Sequence, residues 1–279
     1  MRRHNTMMVV LGAGTLLGAL SIPASALASP PIKQPPASVG VATSQAMTKA
    51  VKDARFVNQN GQPETLGGLV GKTVFVVPFL TLCGDTCPFT TGNLVQLQSI
   101  ISNDKVKNVE VVAIDVDPYR DTLTRIKVYS KLIGANFQLW TETGATTVPK
   151  APKSGASMNS MSGSVGTGDL NANLTTIEKF LGWTVQVVDQ DTPPSTDWMA
   201  PHEKLTYDIN HSDGFWVINA DQQIRFLSGT KPAFTGKLSK VLATFMGYKS
   251  NIYKVAVYKR GWTPAEAVQA IEWVEQSKI

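Results

Sequence analysis

The chain has 279 residues but only two cysteines, Cys83 and Cys87, which stand four positions apart in the run Leu80-Thr81-Leu82-Cys83-Gly84-Asp85-Thr86-Cys87-Pro88-Phe89. The apolar stretch Thr73 to Phe79 just before them predicts a strand. Beyond them Phe89, Leu94, Leu97, Ile100 and Ile101 recur at helical spacing, so Cys87 belongs in the opening turn of a helix. A spacing of four puts both sulfurs on one face. The free amides and positive dipole end of a helix N-terminus lower a thiol's pKa and favour thiolate, the form that attacks disulfides and binds metals. A structural disulfide fits a Cα separation of about 6 Å. Closing so short a loop restrains the unfolded chain by only roughly 2 kcal/mol, which makes stability a poor reason for the pair. Reactive sulfur is the better reading, for redox exchange or for metal binding.

The elements around the pair follow a recognisable order. Phe56 to Gln62 reads as a short strand entering a turn, Leu66 to Val70 as a brief helical turn, and Val109 to Asp115 as a strand covered on both faces. Asp117-Pro118-Tyr119-Arg120-Asp121-Thr122 forms a turn that caps a helix from Leu123 to Gly134, and Asp117, Arg120 and Asp121 hold that turn. A helix near Leu174 to Leu181, a strand at Thr184 to Val188, a hairpin of Gly214–Asn219 with Gln223–Leu227, and a closing helix from Phe234 to Met246 complete the pattern. Thr263 and Pro264 open one more helix, lying beyond that pattern. Strand, helix, strand, helix implies a right-handed parallel βαβ unit, so the fold class is α/β: a thioredoxin-like mixed sheet flanked by helices. The site belongs at the carboxyl ends of the parallel strands.

That topology folds the entry to the hairpin back against the cysteine turn. Of the three histidines, His4, His202 and His211, only His211 stands at that entry, where two thiolates and an imidazole would converge. Thioredoxins carry a cis-proline there; Ile209-Asn210-His211-Ser212 has none.

The N-terminus carries Arg2 and Arg3, an apolar or small-residue stretch from Met7 to Ile22, and Ala26-Leu27-Ala28, the pattern of a cleavable secretory signal. Loss of residues 1–28 would take two arginines from a formal net charge of +5, and the remaining basic residues are scattered, so no nucleic-acid partner is expected. The expected organisation is a signal peptide at 1–28, a proline-rich linker at 29–50, and a thioredoxin-like domain at 51–250. The domain carries a low-complexity insertion at about 141–168, and 251–279 is a C-terminal helical extension. Export would place the protein in the periplasm or at the cell surface, membrane-anchored if the signal is retained. Outside the cytoplasm a dithiol needs a reductant or a metal to stay reduced.

Three separated motifs resemble the Sco (SenC/PrrC) family of copper-binding proteins. Cys83 to Pro88 is similar to the family's C-x-x-x-C-P, Val116 to Thr122 to its V-D-P-x-R-D-T turn, and Asn210-His211-Ser212 to its D-H-S, with asparagine in place of the aspartate. The resemblance spans roughly Phe56 to Met246. It implies a metallochaperone rather than an enzyme, with copper held by Cys83, Cys87 and His211. The implied partners are a thiol reductant and a copper acceptor in cytochrome c oxidase, whose subunit II holds the binuclear copper centre. The ligand chemistry agrees: thiolates are soft and select Cu(I) or Zn(II), and a closed structural zinc site would want a fourth ligand. The rival reading makes Cys83 and Cys87 the redox-active pair of a thiol-disulfide oxidoreductase, and a redox or copper sensor is a third. Met158, Met161 and His202 with Met199 are further sulfur and nitrogen donors, read as incidental loop residues.

Overall fold

The structure is a computed structural model that describes residues 33–83, 86–103, 106–143, 172–189, 196–234 and 261–277. The signal segment, Met158, Met161, most of the insertion and nearly all of the helix expected after Phe234 lie outside the described residues.

Strand β4 (Thr73–Phe79) is buried at every position. Its alternating side chains feed two cores: Phe75, Val77 and Phe79 face one, Val74 and Val76 the other. A strand that must be apolar on both faces reads as a continuous hydrophobic run, which is why it was legible. From β4 the chain passes through helix α2 (Cys87–Asn103) to the parallel strand β5 (Val109–Asp115), then through α3 (Leu123–Ile133) to the parallel strand β6 (Gln138–Thr141). Hairpin strands β9 (Phe215–Ile218) and β10 (Gln223–Ser228) pair antiparallel beside β4. Strands β1 (Val41–Ala46), β2 (Phe56–Asn58) and β3 (Pro63–Glu64) extend the edges, giving an eight-stranded sheet of order β1-β10-β9-β4-β5-β6-β2-β3. The fold is a thioredoxin-like mixed sheet. Helices α2 and α3 cover one face, while α1 (Lys49–Asp53), a 3-10 turn (Leu66–Leu69) and α4 (Ala172–Leu181) cover the other. A separate two-stranded sheet joins β7 (Val185–Val188) antiparallel to β8 (Asp208–His211).

Three boundaries differ from the sequence expectation. Val41–Ala46, inside the expected linker, is a sheet strand paired with β10; its residues are nearly all exposed, so it contributes backbone hydrogen bonds without the apolar alternation that would have marked it. Thr141, taken as the start of the insertion, is a buried end of β6 whose hydroxyl donates to Asp115, and Glu142 accepts from the Leu174 amide at the start of α4. Both described flanks of the insertion are thus tied to the fold. The last helix, α5 (Pro264–Gln276), is no appendage: Trp262, Ala267, Ala270, Ile271 and Val274 are buried in the same core as Phe75 and Phe215.

Candidate metal centre

The cysteine turn begins two residues after β4, and Thr81 fixes its path. The Asp121 carboxylate accepts from the Thr81 amide at 2.6 Å and from its hydroxyl. Arg125 donates from Nε to Thr81 Oγ1, and Trp198 donates from Nε1 to the Thr81 carbonyl at 2.7 Å. Arg125 is itself clamped by Asp197, whose two oxygens accept from both terminal guanidinium nitrogens. Every polar group of this fully buried threonine is thus engaged, and the chain leaves the sheet in one fixed direction.

Cys87 opens α2, and its amide donates to Cys83 Sγ at 3.4 Å. The sulfur thereby takes one of the helix's unpaired amides, at the end where the dipole favours negative charge. The third group arrives from 124 residues away. His211 ends β8, and its Nδ1 lies 2.7 Å from the Ser212 carbonyl oxygen. A carbonyl can only accept, so Nδ1 carries the proton and Nε2 presents a lone pair. That Nε2 is 3.2 Å from Cys87 Sγ. The three ligand atoms of Cys83, Cys87 and His211 all lie within 4.8 Å of one another.

The two thiols differ. The hydrogen bond from Cys87 is the largest influence on Cys83 and, with the contact and charge of His211, holds its pKa well below the usual value against the opposing effect of burial. Burial pushes the Cys87 thiol well up, and the neighbouring Cys83 sulfur adds to the rise. At His211 burial works against the charged ring, but contact with Cys83 outweighs it and raises the pKa. Cys83 is the half-buried sulfur and Cys87 the sealed one.

Two neighbours were not singled out from the sequence. Thr86 donates to Asp213 Oδ1 at 2.5 Å, joining the cysteine turn to the segment just after His211. Asp213 acts on both Cys87 and His211, raising each pKa by its charge. The signal available in sequence was proximity alone, one acid two places from the histidine and one hydroxyl inside the C-x-x-x-C loop. Below the turn, Asp115, Asp117 and Asp121 form a buried acidic cluster, with Asp117 accepting from Tyr207 and Arg120. The expected role of Asp117, Arg120 and Asp121 in holding the turn matches these contacts, while Thr122 caps α3. His202 is exposed and Met199 packs against the apolar core, so neither joins the three-atom group. Trp183 and Trp216 pack edge-to-face at 5.3 Å.

The SCO1/SenC family model matches residues 42–150, which contain the cysteine turn and the Asp117–Thr122 turn. Over that span the chain is similar to the SCO1/SenC family. A Stutzerimonas stutzeri protein named as copper-binding is 29% identical over 89 residues, covering 32% of this chain and 44% of that protein. The chain thus matches less than half the length of that relative. Among solved structures, Arabidopsis thaliana ScoI with copper bound has a TM-score of 0.44 at 15% identity, over 74% of this chain and 94% of that one. Bradyrhizobium japonicum ScoI with copper bound has a TM-score of 0.44 at 18% identity, over 75% and 99%. His211 lies outside the matched span, and it is the fold that returns it to the cysteines. Among the described residues, no helix is long and apolar enough to cross a membrane.

Proposed function

We propose that Cys83, Cys87 and His211 bind one copper ion and pass it to an acceptor protein, by family resemblance the copper centre of cytochrome c oxidase, outside the cytoplasm. The observation that carries this reading is the convergence of two sulfurs and an imidazole nitrogen within 4.8 Å, from segments 124 residues apart. The donor set fits the ion. Two thiolates with one imidazole are soft, and three ligands leave the low coordination number that suits Cu(I) held for transfer rather than stored. His211 already holds the tautomer a ligand needs, because Ser212 fixes the proton on the other ring nitrogen. The family match and the copper-binding name of the Stutzerimonas stutzeri relative support the same choice of metal. Copper titration of the reduced chain tests it: the parent takes up one equivalent, and Cys83→Ala and His211→Ala each lose tight binding. Retention of parental affinity in both variants would sink the assignment.

The asymmetry of the thiols favours a second reading, thiol-disulfide exchange. The Cys83 thiolate would attack a partner disulfide, releasing one partner thiolate. Cys87, giving up its proton, would then attack the Cys83 sulfur, releasing the second partner thiol and leaving a Cys83–Cys87 disulfide. Rapid turnover of a disulfide substrate, without tight copper binding, would select this reading over the first.

A further inference from the structure

Asp213 is the one carboxylate bound directly to the cysteine turn from the histidine side, among the described residues. Its side chain is only 18% exposed. The Thr86 hydroxyl, one residue before Cys87, holds it, and it follows His211 by two residues. Its charge reaches both Cys87 and His211, yet it is not among the three atoms that lie within 4.8 Å of one another. Lys231 approaches at 3.9 Å, beyond hydrogen-bond length, from a side chain that is 47% exposed, and so offsets the carboxylate only in part. Asn210, immediately before the histidine, is neutral and exposed. Among the described residues, Asp213 is therefore the carboxylate that brings negative charge to the three donors.

On the metal-binding reading above, we propose that Asp213, held by Thr86, is a positioning and charge-setting residue that biases the Cys83–Cys87–His211 site toward divalent over monovalent ions. The charge balance gives the reason. Two thiolates and an imidazole around a monovalent ion carry a net charge of about −1, and around a divalent ion about zero. A nearby carboxylate repels the first complex and is indifferent to the second, so it raises divalent affinity relative to monovalent. For copper this favours the oxidised ion. The Thr86 contact also ties the turn to the histidine segment, so charge and ligand geometry are set by the same bond.

Dissociation constants for Zn(II) and Cu(I), neither of which oxidises thiols, test the proposal on the reduced, full chain under anaerobic conditions. Asp213→Asn keeps an oxygen to accept from Thr86 while removing the charge. It should lower the Zn(II)-to-Cu(I) affinity ratio about tenfold, the scale of one charge several ångströms away at an effective dielectric near 20, reduced for partial exposure. Asp213→Glu should restore the ratio. Equal loss for both ions would show Asp213 to be merely structural and overturn the proposal, as would an unchanged ratio. A parent chain that binds neither ion would overturn the copper reading itself, and the proposal with it.

Discussion

His211 shows how little of a candidate ligand's quality lies in its own side chain: the Ser212 carbonyl fixes its tautomer, and the mutual bonds of Ser212 and Thr184 fix its place. Thr81 does the same for the sulfurs. Thr81→Val deletes the hydroxyl that bridges Asp121 and Arg125, and metal affinity measured by competition should fall about tenfold or more, the usual cost of removing such a support. Asp117 makes a pH prediction. Burial raises its carboxyl to about 7, despite the nearby Arg120 guanidinium. The folded chain then holds a proton that the unfolded chain, with a carboxyl pKa of about 3.9, has already lost. Stability from this group is present in acid and is lost as pH rises through about 7, with a slope of about 1.4 kcal/mol per pH unit in the window between the two pKa values. Urea unfolding at pH 5 and pH 8 should show the decline, and Asp117→Asn should flatten it. A slope identical in parent and variant would assign the pH dependence elsewhere in the acidic cluster. The two cysteines and the histidine were legible because their types are rare in this chain and their chemistry narrow. Thr81, Thr86 and Asp213 were not, since Ser, Thr and Asp are common in turns and only spatial contact separates a clamp from a loop residue.

Elements buried on both faces, such as β4 and β5, and helices with clear caps, such as α3, announced themselves in the sequence. Strands β1 and β8 did not, because one is almost wholly exposed and the other, Asp208–His211, carries a single apolar residue, Ile209. The approach of β9 to β10 depends on an absent side chain. A Cβ on Gly214 would lie 1.6 Å from the Ser228 carbonyl oxygen, a backbone atom that cannot swing aside. Gly214→Ala must therefore push the start of β9 off its partner, at a cost of about 1–3 kcal/mol or more, and shift Asp213 and His211 with it. Thermal unfolding and metal affinity should both fall in this variant; a change in neither would mean that the strands part without cost. At α5, Thr263 and Glu266 form a reciprocal capping box, and Thr263→Ala should lower stability by about 1 kcal/mol without touching the candidate metal centre.

Among the described residues, one of the two cores closes around Trp262. This fully buried indole packs on Phe75 of β4 at 5.9 Å and on Phe215 of β9 at 5.4 Å, the two strands that carry the cysteine turn and follow the histidine. Asn93 of α2 donates to the carbonyls of both Ala233 and Trp262. Trp262→Ala should cost about 3–5 kcal/mol, read as a lower urea midpoint. A chain ending before Gly261 should fail to give a cooperative transition. Sequence placed α5 correctly but could not show it to be core, because its apolar residues fit any amphipathic helix and their partner surface lies on distant strands.

The small sheet of β7 and β8 has a kinetic consequence. Cys83 and Cys87 are anchored to the central strand and its helix, whereas His211 stands on a two-stranded ribbon outside the main sheet. Such a ribbon opens at lower free energy than the global fold. On the proposed copper site, His211 could then part from the two cysteines while they stay in place, and the lifetime of a bound ion should be set by fraying of that ribbon rather than by unfolding. Amide exchange at Ile209 and Asn210 should run ahead of β4 in the metal-free chain and slow on loading, in step with the metal's dissociation rate.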